Sequence, residues 1–522
     1  MQPLVERDYF TDYEILKDPY AFFEALREHG PIYQPPGRDY VVVTGFEETL
    51  EVLRNHDAFS AIIGLQGAAA PLPFTPHGHD ITDQVEAHRQ EFIGGNFVVN
   101  LDDTPHTNMR ALINTLFTPS RLKANESYIR ELSDQMVREA VANGGVEMIG
   151  TIATPFVTLV IADLLGVPQE DRRLFMDTIA KAPPPGNLDG QNEIAGENHP
   201  FVIMGSYFAG YIHDRRANPR GDILSELANA TYPDGTKPEL QDVVELGMFM
   251  FGAGQDTSAK LLGNAMKFIV TQPGLQDQLR ADPKLIPAFL EEVLRIEGST
   301  KQTARLARKD TRIGDVAIPA GTKVLVALSA ANRDPARWSN PNELEIDRPK
   351  IKEHVAFGRG KHVCAGAPLA RVEVRVILEK FFEHTARIAL DASKHPNGVA
   401  DLLYEPSFII RGLAEMSLEL SPAPGFSGRS DAPSAIPRAA APVASGAVLS
   451  TRETKLGELL DDSAGRAVLD KHFPGMASDP QVAMAKGMTL RAMQAFAPAQ
   501  FTDAALDAID AELARLASAA VH

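Results

Sequence analysis

The sequence predicts a mainly α (α+β) fold with a long central helix and small β-sheets, followed by a small C-terminal helical module. Three observations carry that prediction. Apolar residues recur at helical spacing through most of residues 1–420, with only a few short stretches of strand character. One segment, "PELQDVVELGMFMFGAGQDTSAKLLGNAMKFIVTQP", holds helical pattern from Pro238 to Pro273. After residue 420 the composition turns to Pro, Ala, Ser and Gly, and helical patterning returns near residue 449.

Taken in order, "DYVVVTGFEETLEVLRN" (39–55) reads as strand, turn and helix. The long segment comes next. Proline suits a helix start at Pro238 and limits continuation at Pro273. About 34 residues at ~1.5 Å each span roughly 50 Å, enough to cross a whole domain. Its middle, "GMFMFGAG", is apolar all round, which predicts burial all round. Gln255, Asp256, Thr257 and Ser258 interrupt that stretch. Burying an acid and hydroxyls costs free energy unless they have partners or a task, so an internal hydrogen-bond network and a functional role are both open. "TRIGDVAIPAGTKVLVALSAANRDP" (311–335) predicts paired strands around a Pro-Ala-Gly turn. "APLARVEVRVILEKFF" (367–382) reads as a helix. Residues 421–448 have the composition of a flexible linker. Residues 449–522 form the C-terminal module, with helix-start signals in "STRETKLGELL" and "FTDAALDAIDAEL". It holds no cysteine, and His472 with His522 is its one histidine pair, which argues against a metal site there.

Composition narrows the function classes. The net charge of −18 opposes a nucleic-acid surface, because phosphates would be repelled. One cysteine excludes an intrachain disulfide and any multi-cysteine zinc or iron–sulfur site. The first residues, "MQPLVERDYFTDYEILKDPY", lack an apolar core of signal length, and no run of ~18 apolar residues is apparent. The expectation is a cytoplasmic protein without a membrane anchor.

The single cysteine, Cys364, lies in "FGRGKHVCAG" (357–366), just before a predicted helix. Free backbone N–H groups and the helix dipole stabilise a thiolate at such a place. Gly358, Gly360 and Gly366 permit tight turns and the close approach of a flat ligand. A thiolate held this way suits a nucleophile, with His362 as its base, or an axial ligand to iron. The loop is too polar and glycine-rich for an inert core cysteine. Gly358-x-Gly360 lacks the third glycine of a nucleotide loop and follows no clear strand.

In these residues the sequence resembles the cytochrome P450 superfamily. Phe357, Gly360, Cys364 and Gly366 match its Phe-x-x-Gly-x-x-x-Cys-x-Gly signature, and Leu369, Ala370 and Arg371 match the tail that follows. Ala253-Gly254-Gln255-Asp256-Thr257 matches its oxygen-activation motif, and Glu292-x-x-Arg295 its Glu-x-x-Arg helix. Arg348 falls where the family completes that ion triad. The motifs appear in family order, and the resemblance covers roughly 1–420. It implies a haem domain at 1–420, while composition gives the linker at 421–448 and helical patterning an interaction module at 449–522.

The resemblance further implies haem b with Cys364 as the proximal thiolate, Phe357 beside the macrocycle and Gly366 in the supporting loop. His106, Arg110, Arg305 and His362 match positions that bind the propionates. Glu292, Arg295 and Arg348 are implied to form a buried structural triad. Asp256 and Thr257 are implied to organise the proton relay. Phe249, Met250, Ala253, Thr300, Thr303, Ser407, Phe408 and Ile409 match pocket-lining segments, and their mostly apolar character suggests a terpenoid, steroid or aromatic substrate. The proline the family often carries after the Glu-x-x-Arg helix is missing in "IEGSTKQTAR". There Lys301 is expected to point to solvent, the other reading being a pair with a substrate carboxylate.

The implied function is a haem-thiolate monooxygenase that inserts one atom of dioxygen into a hydrophobic small molecule. The alternatives are a haem-thiolate peroxygenase or isomerase and a haem-based ligand sensor. No flavin or nicotinamide domain is visible, so a separate ferredoxin with its NAD(P)H-dependent reductase is the implied electron source. Arg348, Lys350, Lys352, Arg359, Lys361, Arg371 and Arg375, set against Glu353 and Glu373, suggest a basic docking face near the thiolate. Self-association and docking of a partner protein are the leading roles expected of the C-terminal module.

Overall fold

In the computed structural model, the 39–55 stretch folds as strand Tyr40–Val43 followed by helix Phe46–Arg54. The structure describes residues 3–179, 186, 200–428, 449–452, 454–476, 486–494 and 500–519. These fall into two compact units. The first is drawn from residues 1–160, 183–189 and 253–435, the second from 161–182, 190–252 and 436–522.

In the first unit Tyr40–Val43 is the second strand of a five-stranded sheet, ordered Ile32–Tyr33, Tyr40–Val43, Lys323–Val326, Thr303–Ala307, Phe59–Ser60. Tyr40–Val43 and Lys323–Val326 run parallel, the other pairs antiparallel. Successive side chains of a strand point to opposite faces. Tyr40, Val42 and Leu325 therefore enter one apolar cluster, while Val41, Val43, Val324 and Val326 enter another. Both faces are covered, which is why these strands read as unbroken apolar runs.

The 311–335 stretch pairs differently from expectation. Thr311–Ile313 pairs with Val316–Ile318 around Gly314, whose φ is +51°. Pro319–Thr322 does turn, with Thr322 N donating to Pro319 O at 3.1 Å, but it sends Lys323–Val326 into the five-stranded sheet. Gly314-Asp315 takes the two-residue hairpin because glycine adopts positive φ without strain.

The helical core of this unit joins Pro119–Ala142 to Ala367–His384, with Ile286–Glu297 packed on the latter. The long helix runs from Leu240 to Thr271, two residues inside each bounding proline. Burial of its apolar middle is incomplete, because Ala253 keeps an exposed side. A second apolar stretch, Met148–Leu165, is long and apolar enough to cross a membrane, yet 72% of it is buried inside the protein. Thr151, Thr154, Pro155, Thr158 and Asp163 break up its apolar run, and its burial marks it as core. The first residues expected in the linker, 421–428, are instead part of the folded unit. Strand Ser417–Pro422 includes the first of them, and Phe426 lies 5.9 Å from His384. Residues 429–448 fall outside the described residues.

The second unit is helical. It contains Gln169–Ile179, Pro200–Ala217, Ile223–Ala228 and the first part of the long helix, with Leu456–Asp461, Ser463–His472 and Asp503–Ala519 from the C-terminal region. Those last helices bury Leu456, Leu459, Leu469, Leu506 and Ile509 among themselves. Asp462 caps the second by accepting from Ala464 N and Gly465 N, and Thr502 caps the third by accepting from Ala505 N. The first starts at Leu456 with Lys455, not Ser or Thr, in the cap position. His472 bonds Glu512 at 2.9 Å, while His522 lies outside the described residues.

Candidate active site

Cys364 sits between the short turn Gly360–His362 and helix Ala367–His384. Its N–H donates to Phe357 O at 2.9 Å, closing the loop on itself. Gly358 and Gly360 hold φ of +67° and +74°. A Cβ on Gly360 would lie 2.2 Å from Leu53 O and 2.6 Å from His56 Nε2, so no other residue fits there. Burial pushes the Cys364 thiol up, while N–H groups of Gly366 and Ala367 and the charges of Arg110 and Arg371 act in the opposite direction. Cys364 nevertheless keeps accessible surface. Phe357 is held beside it by the Arg371 guanidinium, 4.6 Å from the ring centroid. Arg371 in turn bonds Glu291, which also faces His354 at 3.1 Å. Burial disfavours the Glu291 charge, but His354 and Arg371 prevail and bring its pKa down to about 2.

His106, Arg110, Arg305 and His362 lie close to the same loop. The His106 and His362 rings are 4.1 Å apart, and Arg110 donates to Val363 O. Arg305 is buried and donates to Thr303 Oγ1 and Ala304 O at 3.0 and 2.7 Å. Among the described residues none of the four makes an ion pair with a carboxylate, although the charge of Asp102 acts on Arg305. Burial, then Arg110, His56 and other cations, push His106 down to about 4. Burial and the same kind of cationic surroundings, Arg305 foremost, push His362 down as well. The two arginines thus stand beside imidazoles that these surroundings keep uncharged, and positive charge held in from water without an acid is costly. An anionic ligand reverses that cost, and the two propionates of a haem match this donor set. His56, 6.1 Å from His362, was missed by sequence reasoning because a lone histidine in "LRNHDAF" carries no motif.

On the long helix, Thr257 Oγ1 donates back to Ala253 O at 3.0 Å, and Thr257 O accepts from Ser299 Oγ at 2.6 Å. Asp256 Oδ2 is buried without a hydrogen-bond partner. Lys260 Nζ lies 4.0 Å from Asp256 Oδ1 and 2.7 Å from Glu405 Oε1. Burial raises the pKa of both acids against the pull of Lys260. The Lys260 stem passes over Gly412, where a Cβ would meet its Cδ at 2.1 Å. Beyond Ser258 lies Glu373, fully buried and pushed up to about 8, only partly offset by the Ser258 hydroxyl. Sequence reasoning missed Lys260 and Glu405 and counted Glu373 only as a surface acid. The usable signal was a lysine four residues after Asp256 on a helix too apolar to leave it in water.

The triad is assembled. Arg295 bonds Glu292 at 2.7 and 2.9 Å, Arg348 Nε bonds it at 2.9 Å, and all three are buried. Among the expected docking cations this removes Arg348 from the surface. Arg371 pairs with Glu291, and Arg375 with Glu126 and Glu379. Lys350, Lys352 and Lys361 are exposed.

The pocket candidates divide. Phe249 and Met250 belong to the second unit, the other six to the first. Thr300 bridges Ile410, and Thr303 is half-buried. Phe408 turns its ring onto Phe10 at 5.3 Å, and Ile409 lies against Gly186. Ser407 is corrected: it is 0% exposed, and its hydroxyl accepts from Ile409 N and Ile410 N, so it shapes the loop and does not line a space. Lys301 is corrected too. It is 0% exposed, with Nζ donating to Leu16 O at 2.7 Å and to Ser407 O. Burial pushes its pKa far down, and two main-chain carbonyls take the place of solvent.

Comparison with known proteins agrees with this chemistry. The family model described as Cytochrome P450 matches residues 211–386. Cytochrome P450 144 of Mycobacterium tuberculosis is 30% identical over 384 residues, covering 73% of this chain and 85% of that protein. Vitamin D(3) 25-hydroxylase of Pseudonocardia autotrophica is 31% identical over 326 residues, 62% of this chain and 78% of that one. The substrate-free structure of Mycobacterium marinum cytochrome P450 CYP150A6 is 42% identical with a TM-score of 0.75, and covers 81% of this chain and 100% of its own.

Proposed function

The chain belongs to the cytochrome P450 family, and on that premise we propose that it inserts one oxygen atom into a hydrophobic small molecule of terpenoid, steroid or aromatic class, with electrons from a separate ferredoxin system. Membership makes it an oxidoreductase with monooxygenase chemistry that carries haem b through a cysteine thiolate. Cys364 is its one cysteine. The observation that carries the reading is the thiol loop with Arg110, Arg305, His106 and His362 gathered beside it, none of them in an ion pair with an acid among the described residues.

Haem b, when bound, supplies the activation of dioxygen and its transfer to substrate. The chain's own residues do the rest. Gly366 and Ala367 N–H groups hold the Cys364 sulfur, and Arg110, Arg305, His106 and His362 take the propionates. Thr257 and Asp256 move protons, Asp256 at its unpartnered Oδ2, with Lys260 and Glu405 behind it. Ala253, Thr300 and Thr303 are the substrate-side residues of the first unit, and the vitamin D(3) hydroxylase among the relatives supports a bulky hydrophobic substrate. The exposed Lys350, Lys352 and Lys361 suit an acidic ferredoxin, and the reading places the enzyme in the cytoplasm.

The test joins spectroscopy to turnover. The reduced protein should give the red-shifted carbon monoxide complex of a thiolate-bound haem, and Cys364→His should abolish it. With a surrogate electron donor and a panel of hydrophobic compounds, a product carrying one oxygen from dioxygen is expected. A thiolate spectrum that persists in the variant, or a panel without oxygenated product, would overturn the assignment.

A further inference from the structure

The helix Pro200–Ala217 reads "PFVIMGSYFAGYIHDRRA", with apolar residues on all its sides. A helix on a protein surface needs one polar face, and this one requires cover on two. The second unit provides both. On one side Gly247 meets the Phe208 ring and Gly205 meets Met248, where added Cβ atoms would lie 2.9 and 2.8 Å away. Phe208 and Phe175 also meet Phe251 edge-on, at 6.3 and 5.0 Å between centroids. These contacts seat the helix on the segment of the long helix that carries Phe249 and Met250.

The other side is covered by the C-terminal module. Gly487 lies so close to Tyr207 that a Cβ would come within 2.4 Å of Tyr207 Cδ2, and Gly210 approaches Gly487 O in the same way at 3.3 Å. Gly487 N donates to Ser206 Oγ at 3.3 Å. Lys455 sits 4.8 Å above the Tyr207 ring and reaches Asp171. Asp171 also accepts from Tyr211 OH at 2.5 Å, so this buried carboxylate joins the module to helices Gln169–Ile179 and Pro200–Ala217 at once. Gly487 and Gly247 let backbone and ring approach directly on the two sides.

We propose that the C-terminal module is a built-in brace that holds the helix Pro200–Ala217 against the Phe249–Met250 segment and thereby takes part in selecting the substrate. About a fifth of this chain has no counterpart in the similar Mycobacterium marinum structure, which is covered whole. The brace's effect on selectivity rests on the reading that Phe249 and Met250 line the substrate space.

Two full-length holoenzyme variants test this. Gly487→Leu drives a side chain into Tyr207, and Lys455→Met removes the ion pair to Asp171 while sparing the module's apolar core. Hydrogen exchange of residues 203–217 reads the brace, and spin-state titration with a panel of hydrophobic ligands reads selectivity. Exchange is expected to rise by about tenfold or more in Gly487→Leu and by less in Lys455→Met. The order of ligand affinities should change with it, and the carbon monoxide complex should stay that of the parent. Unchanged exchange in both variants would overturn the brace. Faster exchange with the parental order of ligands would overturn its part in substrate choice, and would put Phe249 and Met250 away from bound substrate. Loss of the thiolate spectrum in the parent itself would instead strike the haem reading.

Discussion

Lys260 Nζ lies 2.7 Å from Glu405 Oε1, a contact across 145 residues that puts an ammonium group behind Asp256, whose Oδ2 is buried without a hydrogen-bond partner. The lysine is buried and balances two acids at once. Lys260→Met removes that balance. Asp256 and Glu405 then hold their protons more tightly, and the relay loses its donor. Product formation is expected to fall roughly tenfold to a hundredfold, with the lost reducing equivalents appearing as hydrogen peroxide. Parental coupling of reductant to product in this variant would remove Lys260 from the relay.

The Glu292 triad makes a stability prediction. Glu292→Ala leaves the Arg295 and Arg348 guanidinium groups buried together without their shared acid. Breaking a buried pair by removing one partner costs about 3–5 kcal/mol. Urea unfolding of the variant should show a loss in that range, together with poor haem retention. A midpoint like the parent's would mean that the surrounding carbonyls of Ser339, Glu343 and Asn332 suffice for the two arginines.

Glu373 predicts a pH dependence. Burial pushes its pKa up to about 8 in the folded chain, from an ordinary 4.5. Between those values the folded state keeps a proton that the unfolded state releases. Stability from this group is therefore complete below pH 4.5 and declines as pH rises toward about 8. Glu373→Gln should flatten the decline and raise stability at pH 8 by on the order of a few kcal/mol. Parallel stability curves for variant and parent between pH 5 and pH 8 would contradict it.

Electron delivery predicts a salt effect. Lys350, Lys352 and Lys361 remain exposed, while Arg348, Arg371 and Arg375 pair with acids and Arg359 donates to the carbonyls of Gly358 and Lys352. Reduction by an acidic ferredoxin should slow as ionic strength rises, since screening acts over about 10 Å at 0.1 M salt. Replacing the three lysines with glutamine should lower the low-salt rate and weaken its salt dependence. A parental rate and slope in the triple variant would place docking elsewhere.

The sequence by itself determined what depends on local pattern. The unbroken 238–273 segment and the helix after the single thiol follow from local spacing, and the Ala-Gly-x-Asp-Thr, Glu-x-x-Arg and cysteine motifs identify the chemistry through the family they resemble. Tertiary structure alone decided what depends on partners distant in the chain. Lys301 became a buried tie to Leu16 and Ser407, Lys260 met Glu405, and Glu373 moved from the surface into the core. The strand 323–326 left its apparent hairpin for a parallel partner at 40–43. The C-terminal module, readable as helices, found its place on Tyr207 and Asp171. A charged or apolar residue announces that it must be satisfied, but the sequence does not say by what. That is settled by which surfaces the fold brings within a few ångströms, where burial makes an unpaired charge too costly to leave.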